Sequence, residues 1–356
     1  MVIALTVGWL VFVVLQRILS GRWWLWLLVD MVPPPVFAVV PVLLLVLIAF
    51  TRCARKRWLA GGAALSLLLG VGYAGLNYPA LWSGSGTPTP PDSIRVLDWN
   101  PNYWYKFDSG PEEFYGFLKS RNADVYTLSE YMYREKDGER RRLRIDDMDR
   151  LRAEFPGYEI AVRGELVTLS RYPIVQTTVL GPGRDVVDDP NADFWPIFRA
   201  IKVMRTDLRV GDRVLSVYNV HIPIHVELVS PTDNRFWDYP KSADPNRKEH
   251  LRALEADVRG NPNPVVVLGD FNISPAMADL DGLSSLLNDA VGKSTDFYPV
   301  TWKYGTALFS WRMPFWRVDY AFTSDSVKVH RYELLPAPTM SDHAAQDLSI
   351  SLPKGK

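Results

Sequence analysis

The chain has 356 residues, with 40 Lys/Arg against 40 Asp/Glu, so no global basic field marks out a polyanionic partner. Its single cysteine, Cys53, lies near the N-terminus. The remainder of the chain can therefore hold no disulfide, no thiolate nucleophile and no zinc–thiolate site. The balanced charge hides an asymmetry: residues 1–91 carry six basic residues and one acid, Asp30, leaving 34 basic and 39 acidic residues downstream. Unaided electrostatic grip on nucleic acid should be modest there, unless metal ions supply positive charge.

Three apolar blocks open the chain: Met1–Gln16, Val32–Phe50 and Trp58–Leu76. A membrane span needs about 20 apolar residues, and the blocks predict three transmembrane helices within residues 1–81, with a lipid bilayer as their partner. The first block lacks the basic n-region and small-residue cleavage site of a secretory signal. Between the first two blocks lies RWWLWLLVD, an aromatic cluster suited to the headgroup zone, and between the last two lies TRCARKR. That basic loop belongs in the cytoplasm by the positive-inside rule, which predicts a multi-pass cell-membrane protein with its later residues extracytoplasmic. A Gly/Ser/Thr/Pro linker follows at residues 82–93.

From Ile94 to residue 352 short β-rich runs alternate with helical stretches. IRVLDWN, DVYTLSE, YEIAVR, LVTLS, IVQTTVL, IKVMRT, VLSVYNVH, PVVVLGD, VDYAFTS and DLSISL read as strands. PEEFYGFLKSR, IDDMDRLRAEF and DPNRKEHLRALEADVR read as helices. HVELVSPTDNRFWDYPKSADPNR reads as a long loop after His221. About ten strands, several continuously apolar, predict two sheets packed face to face with helices outside. No internal repeat is visible, and no protein partner is implied.

The informative regularity is where the strands stop. They end at Asn100, Glu130, His221 and Asp270, and the last segment opens with Asp342-His343. Acids, amides and histidines at strand ends of one fold converge on one edge, where sites are built. His225, His250 and His330 read instead as surface or helix residues, and Asp98 as an ordinary strand polar facing away from the others. The mixed-charge run REKDGERRRLR reads as a solvated face.

These residues, in this order, resemble the endonuclease/exonuclease/phosphatase superfamily, whose fold is that of deoxyribonuclease I, in a membrane-anchored bacterial form. The resemblance covers residues 94–352. VVVLGDFN is its most specific motif and SDH the next; DVYTLSE, TLSRYPI and RVDYAFTS match further family segments. It implies an α+β, four-layer α/β sandwich and Mg²⁺- or Mn²⁺-dependent hydrolysis of a phosphoester. It also implies roles. Asp270 would orient or deprotonate the attacking water, and Asn272 would hold that water or a phosphate oxygen. Glu130 and Asp342 would bind the metal, with Asn100 nearby. His221 and His343 would hydrogen-bond phosphoryl oxygens, Asp319 would hold His343, and Arg171 would contact a phosphate.

Phosphoester hydrolysis needs an in-line nucleophile, neutralised equatorial oxygens and a stabilised leaving group, which a hard cation on carboxylates helps to supply. Strand alternation should point Asp270 and Asn272 the same way and Phe271 into packing, while Gly269 allows close backbone approach. The sequence departs from the family pattern at Ser129, where Gln commonly precedes the metal Glu, and at Asn102, where some members carry another acid. After SDH, AAQDLSI replaces the frequent Arg-Pro run. The expected substrate is DNA or a nucleotide. The alternatives are a phospholipid or phosphosugar headgroup, or a non-catalytic anchored binding module, with Trp302, Trp311, Phe315 and Trp316 as a rim that could stack bases or meet lipid.

Overall fold

The computed structural model describes residues 1–82, 89–102, 110–134, 142–144, 148–186, 194–227, 229–306, 309–337 and 340–352. Runs such as Val265–Asp270 are buried along their whole length, because both faces of the strand are covered. One six-stranded sheet has the spatial order Lys328–Leu335, Ala345–Ser351, Ile94–Trp99, Val125–Leu128, Leu166–Ser170, Glu159–Arg163. The other runs Asn288–Asp289, Asp319–Thr323, Val265–Asp270, Arg213–His221, Val203–Val210, Ile174–Val179. Both sheets are mixed: Val265–Asp270 is parallel to Arg213–His221 and antiparallel to Asp319–Thr323.

Side-chain alternation sorts these strands into layers. Val96, Val125 and Ile350 meet Leu215, Val217, Val266, Leu268 and Ala321 between the sheets. The opposite parity faces outward. Leu97, Trp99 and Leu128 pack with Phe114, Leu118 and Leu151 of the helices Pro111–Arg121 and Met148–Glu154. Val265, Val267, Tyr320 and Phe322 pack with Leu251, Leu254 and Val258 of helix Arg235–Gly260. The result is helix, sheet, sheet, helix, the expected four-layer sandwich. Strands at Lys328–Leu335 and Asn288–Asp289 were not expected from the sequence. Nor was the early start of helix Arg235–Gly260, which continues through Pro240 and Pro245. Half of the segment read as a loop is therefore helix.

The N-terminal region corrects the expectation of three transmembrane helices. Val2–Leu19, with 18 residues and mean hydropathy 2.2, is the one helix among the described residues long and apolar enough to cross a membrane. The other two, Val36–Ala49 and Lys56–Gly70, have 14 and 15 residues. Pro33-Pro34-Pro35 delay the start of the first of these, and a 3₁₀ turn at Val71–Ala74 ends the α-helical run of the second. At 1.5 Å per residue each covers about 21–23 Å, short of the roughly 30 Å hydrocarbon core. The three helices pack on one another through Trp9, Val13, Phe37, Leu44, Ile48, Leu59 and Ala63. Their outer surface is apolar: Leu43 is 60% exposed, Leu68 73% and Trp58 85%.

This unit is docked on the sandwich beside the strand ends. Leu27 enters the core of the second sheet's outer face. The Asn77 side chain donates to the carbonyls of Ser294 and Asp296 at 3.1 and 3.0 Å, and Gly75 lies against Pro275.

Candidate active site

Inner-face parity carries the polar residues. The set Val266, Leu268 continues to Asp270; Leu215, Val217 continues through Asn219 to His221; Ala321 has Asp319 two residues before it. Pairing then aligns them laterally, because Asp270 is in register with His221 on one side and with Asp319 on the other. Gly269 makes this approach possible. Its φ is +143°, and a Cβ there would sit 1.9 Å from the Val220 carbonyl oxygen.

Asp270 is the hub. Its Oδ1 accepts the Asn272 backbone N–H at 2.8 Å, and Oδ2 accepts from Asn100 Nδ2 at 3.0 Å and Asn272 Nδ2 at 3.2 Å. The Nε2 atoms of His221 and His343 stand 3.8 and 3.7 Å from Oδ2. Asn272 is not placed by strand alternation, as the sequence suggests. The strand ends at Asp270, and Asn272 adopts φ +50°, turning its amide back onto Asp270 and the Ile222 carbonyl. Asn is one of the few side chains that tolerate this conformation. Phe271 is fully buried in the outer core, as expected.

Each histidine is backed by an acid. Asp319 accepts from His343 Nδ1 at 2.9 and 3.1 Å. Burial alone would lower the His343 pKa, but Asp319 and then Asp270 outweigh it and hold the value well above the ordinary histidine range. His221 Nδ1 bonds Glu165 at 2.7 Å, and Glu165 also pairs with the buried Lys202. Burial opposes the His221 charge and Glu165 restores it, so His221 also titrates above its usual value. Glu165 and Lys202 were not identified from the sequence.

Asp270 itself is raised to about 6: burial raises it, His343 lowers it and Asp319 raises it again. Asp98 corrects another expectation. It shares the inner face with Val96 and is buried, accepting from Thr127 Oγ1 and Gln346 Nε2 at 2.7 Å each. Burial lifts its pKa to about 8, so at neutral pH it is a neutral carboxyl beneath the site.

Glu130 follows the strand Val125–Leu128 in a left-handed conformation, φ +48°, with its backbone N–H donating to Glu165 at 3.0 Å. Its Oε1 is 3.6 Å from His221 Nε2. Its Oε2 is buried and has no hydrogen-bond partner among the described residues. A buried, orphaned carboxylate oxygen beside His221 suits a hard cation, which accepts oxygen ligands. Asp342 is held from both sides, by Asn102 Nδ2 on Oδ1 and by Trp302 Nε1 on Oδ2 at 3.2 Å. Asn100 places Asn102 by accepting its backbone N–H at 2.8 Å. Asp270, Asp319 and His343 also offer ligand atoms within 4.8 Å of one another, but the Asp319–His343 hydrogen bond already occupies that pair.

Arg171 lies elsewhere. The strand Leu166–Ser170 runs antiparallel to Val125–Leu128, pairing Ser170 with Val125, so Arg171 emerges at the end of the sheet opposite Glu130. There it bonds Asp124 at 3.0 Å and Asn122, and lies over the Tyr158 ring. His250 is a helix residue, as read, within Arg235–Gly260, whereas His330 is buried in the strand Lys328–Leu335, and His225 bonds the Asn272 carbonyl at 3.1 Å. The side chains of Trp311 and Phe315, and residues 135–141 of the mixed-charge run, lie outside the described residues.

Comparison with known proteins agrees with this architecture. The model of the Endonuclease/Exonuclease/phosphatase family matches residues 86–343. No protein of curated function matches the sequence. An endonuclease/exonuclease/phosphatase from Bacteroides vulgatus superposes with a TM-score of 0.51 at 15% identity, covering 73% of this chain and 99% of its own. A conserved protein of unknown function from Enterococcus faecalis gives a TM-score of 0.52 at 12% identity, covering 73% and 100%. The 3′ phosphatase NExo from Neisseria, solved as its D146N form with a product DNA hairpin, gives 0.50 at 14%, covering 72% and 99%. At such identities the structures speak for the fold, and the family model speaks for descent. The chain belongs to the endonuclease/exonuclease/phosphatase family.

Proposed function

We propose that this chain is a divalent-metal-dependent phosphoester hydrolase held at a lipid bilayer, acting on a phosphodiester of DNA or a nucleotide. One observation carries the chemistry: Asp270 sits in register between His221 and Asp319, with both histidine Nε2 atoms within 3.8 Å of its Oδ2. A carboxylate raised to about 6 is a base matched to neutral pH, positioned to take a proton from the attacking water. Asn272, its Nδ2 committed to the Ile222 carbonyl and Asp270, offers Oδ1 to orient that water. His343 and His221, both biased toward the imidazolium form, donate from Nε2 to phosphoryl oxygens as negative charge builds on them. Asp319 and Glu165 keep the proton on each Nδ1 and so fix which nitrogen faces the substrate.

Glu130, whose Oε2 has no partner among the described residues, is the main candidate for holding Mg²⁺ or Mn²⁺, with Asn100 and Asp342 as further candidates. Such an ion would neutralise charge developing on the phosphoryl group. Arg171 has no part in this reading.

The apolar exterior of residues 1–81 supports the bilayer. An exposed aliphatic surface of this extent is otherwise an aggregation liability. Val2–Leu19 would cross, with the sandwich docked at its C-terminal end on the extracytoplasmic side. Docking of this unit next to Asn272 favours a second substrate reading, a lipid phosphoester headgroup. The test is the full chain in detergent and in vesicles, with Asp270→Ala as control, assayed with Mn²⁺ on plasmid DNA, bis-p-nitrophenyl phosphate and phospholipid. DNA or diester cleavage abolished by EDTA and by Asp270→Ala supports the first reading. Lipid turnover alone supports the second, and inactivity of the folded chain on every substrate rejects the hydrolase.

A further inference from the structure

Arg247 lies in helix Arg235–Gly260 and is fully buried, where a guanidinium is costly unless paired. Its Nη1 donates to the Pro223 carbonyl. Its Nη2 is 3.8 Å from Asp279, and neither Nη2 nor Nε has a hydrogen-bond partner among the described residues. The facing carboxylate, Asp279, lies in the segment that follows Asn272.

Asp30 is buried and fixed, accepting from Gln16 Nε2 at 2.6 Å and Ser20 Oγ at 3.0 Å. The same two side chains grip the segment that follows Asn272. Gln16 Nε2 donates to the Ala276 carbonyl at 2.7 Å, and Ser20 Oγ accepts the Ala278 N–H at 3.1 Å.

From Arg247 the connection runs to the site by a second route. Pro223, which Arg247 holds, belongs to the stretch that clamps Asn272. The Ile222 carbonyl accepts from Asn272 Nδ2 at 3.0 Å, and His225 Nδ1 bonds the Asn272 carbonyl at 3.1 Å. A carbonyl requires a donor, so Nδ1 carries the hydrogen. Asn272 needs such clamping because its φ of +50° is costly for any residue with a Cβ. The N-terminal unit thus grips the segment after Asn272 at Ala276 and Ala278, while Arg247 holds the stretch on its other side.

We propose that Asp30 is a positioning residue of the hydrolytic site, acting through Gln16 and Ser20 on the Ala276–Ala278 segment to hold Asn272. The apolar N-terminal unit is then part of the catalytic apparatus as well as an anchor. The kinetic arm of this proposal rests on the hydrolase reading; the exchange arm does not.

The test uses the full chain in detergent. Asp30→Asn, which keeps the shape but weakens the acceptor for Gln16 and Ser20, should lower kcat on bis-p-nitrophenyl phosphate about tenfold, with KM within about twofold. In an Asn272→Ala background the same substitution should cost less than about twofold, since coupled positions are not additive. An equal loss in both backgrounds overturns the proposal. Independently, amide hydrogen exchange at residues 270–278 should quicken in Asp30→Asn and in Arg247→Met, and return toward wild type in Arg247→Lys. Unchanged exchange in Asp30→Asn overturns the proposal even if the chain is active. If the wild-type chain cleaves no phosphoester, the hydrolase reading fails and exchange alone decides the positioning.

Discussion

Replacing Asp319 by Asn isolates the charge behind His343. Asn keeps an oxygen that can accept from Nδ1, so the ring stays oriented, but the carboxylate 2.9 Å away is gone. Both residues are buried, so little solvent compensates. A hydrogen bond involving a charged group is worth about 1.5–3 kcal/mol net. If that stabilisation is used in the transition state, kcat/KM should fall about 10- to 150-fold. The pH profile sharpens the test. His343 must be protonated to donate from Nε2, so activity is lost as pH rises through its pKa. In the wild type that pKa is well above 6.5 because Asp319 and Asp270 overcome burial. Without Asp319 burial dominates, and the alkaline limb should move to lower pH. The assay is bis-p-nitrophenyl phosphate hydrolysis with Mn²⁺ from pH 5.5 to pH 9 or so. An unshifted limb with an unchanged rate would refute the assignment. The same pKa has a stability corollary: the raised His343 value contributes stability below the unfolded pKa that disappears as pH rises through the folded one.

Three further outcomes are expected. Asp98→Asn should stabilise the fold at pH 7 and above: the carboxyl titrates at about 8 in the fold against 3.8 as reference, so the wild type loses stability as pH rises between those values. Thermal unfolding at pH 4.5 and pH 8 measures the slope, and an unchanged slope in the variant would contradict a protonated Asp98. Glu130→Gln should weaken Mn²⁺ binding by about 10- to 100-fold in calorimetry, with the fold intact, because it neutralises a carboxylate whose buried Oε2 has no hydrogen-bond partner among the described residues. Equal affinity in variant and wild type would remove Glu130 from the metal site. Arg171→Ala should leave kcat/KM within about twofold of wild type, since it bonds Asp124 and Asn122 at the opposite end of the sheet; a tenfold loss would show that Arg171 reaches the substrate after all.

Much of the sandwich is legible in the sequence because period-two and continuous apolar patterns are local. The strands ending at Asp270 and His221 announce themselves by composition, and so does the Phe271 anchor. Elements whose residues are ordinary were not visible. Lys328–Leu335 mixes charges and aliphatics on a sheet edge, and the start of helix Arg235–Gly260 is hidden by two prolines that usually argue against a helix. Spanning length was overcalled because apolar composition sets hydropathy, while prolines and a 3₁₀ turn set where the helices begin and end.

The site divides in the same way. Sequence alone determined which chemical groups stand at strand ends, since Asp270, Asn272, His221 and His343 are fixed by motif. Only the tertiary structure decided their partners. Glu165 and Lys202 back His221 from across 56 and 19 residues, respectively, and Asp98 is driven neutral by packing between the sheets. Arg171 is carried away from the site by an antiparallel pairing that no local signal encodes. Asp30, remote in sequence, is linked through Gln16 and Ser20 to Ala276 and Ala278 because the N-terminal helices dock there. Local patterns specify backbone and side-chain periodicity, whereas pKa values, tautomers and ion pairs depend on distances between residues far apart in the chain, and folding alone sets those distances.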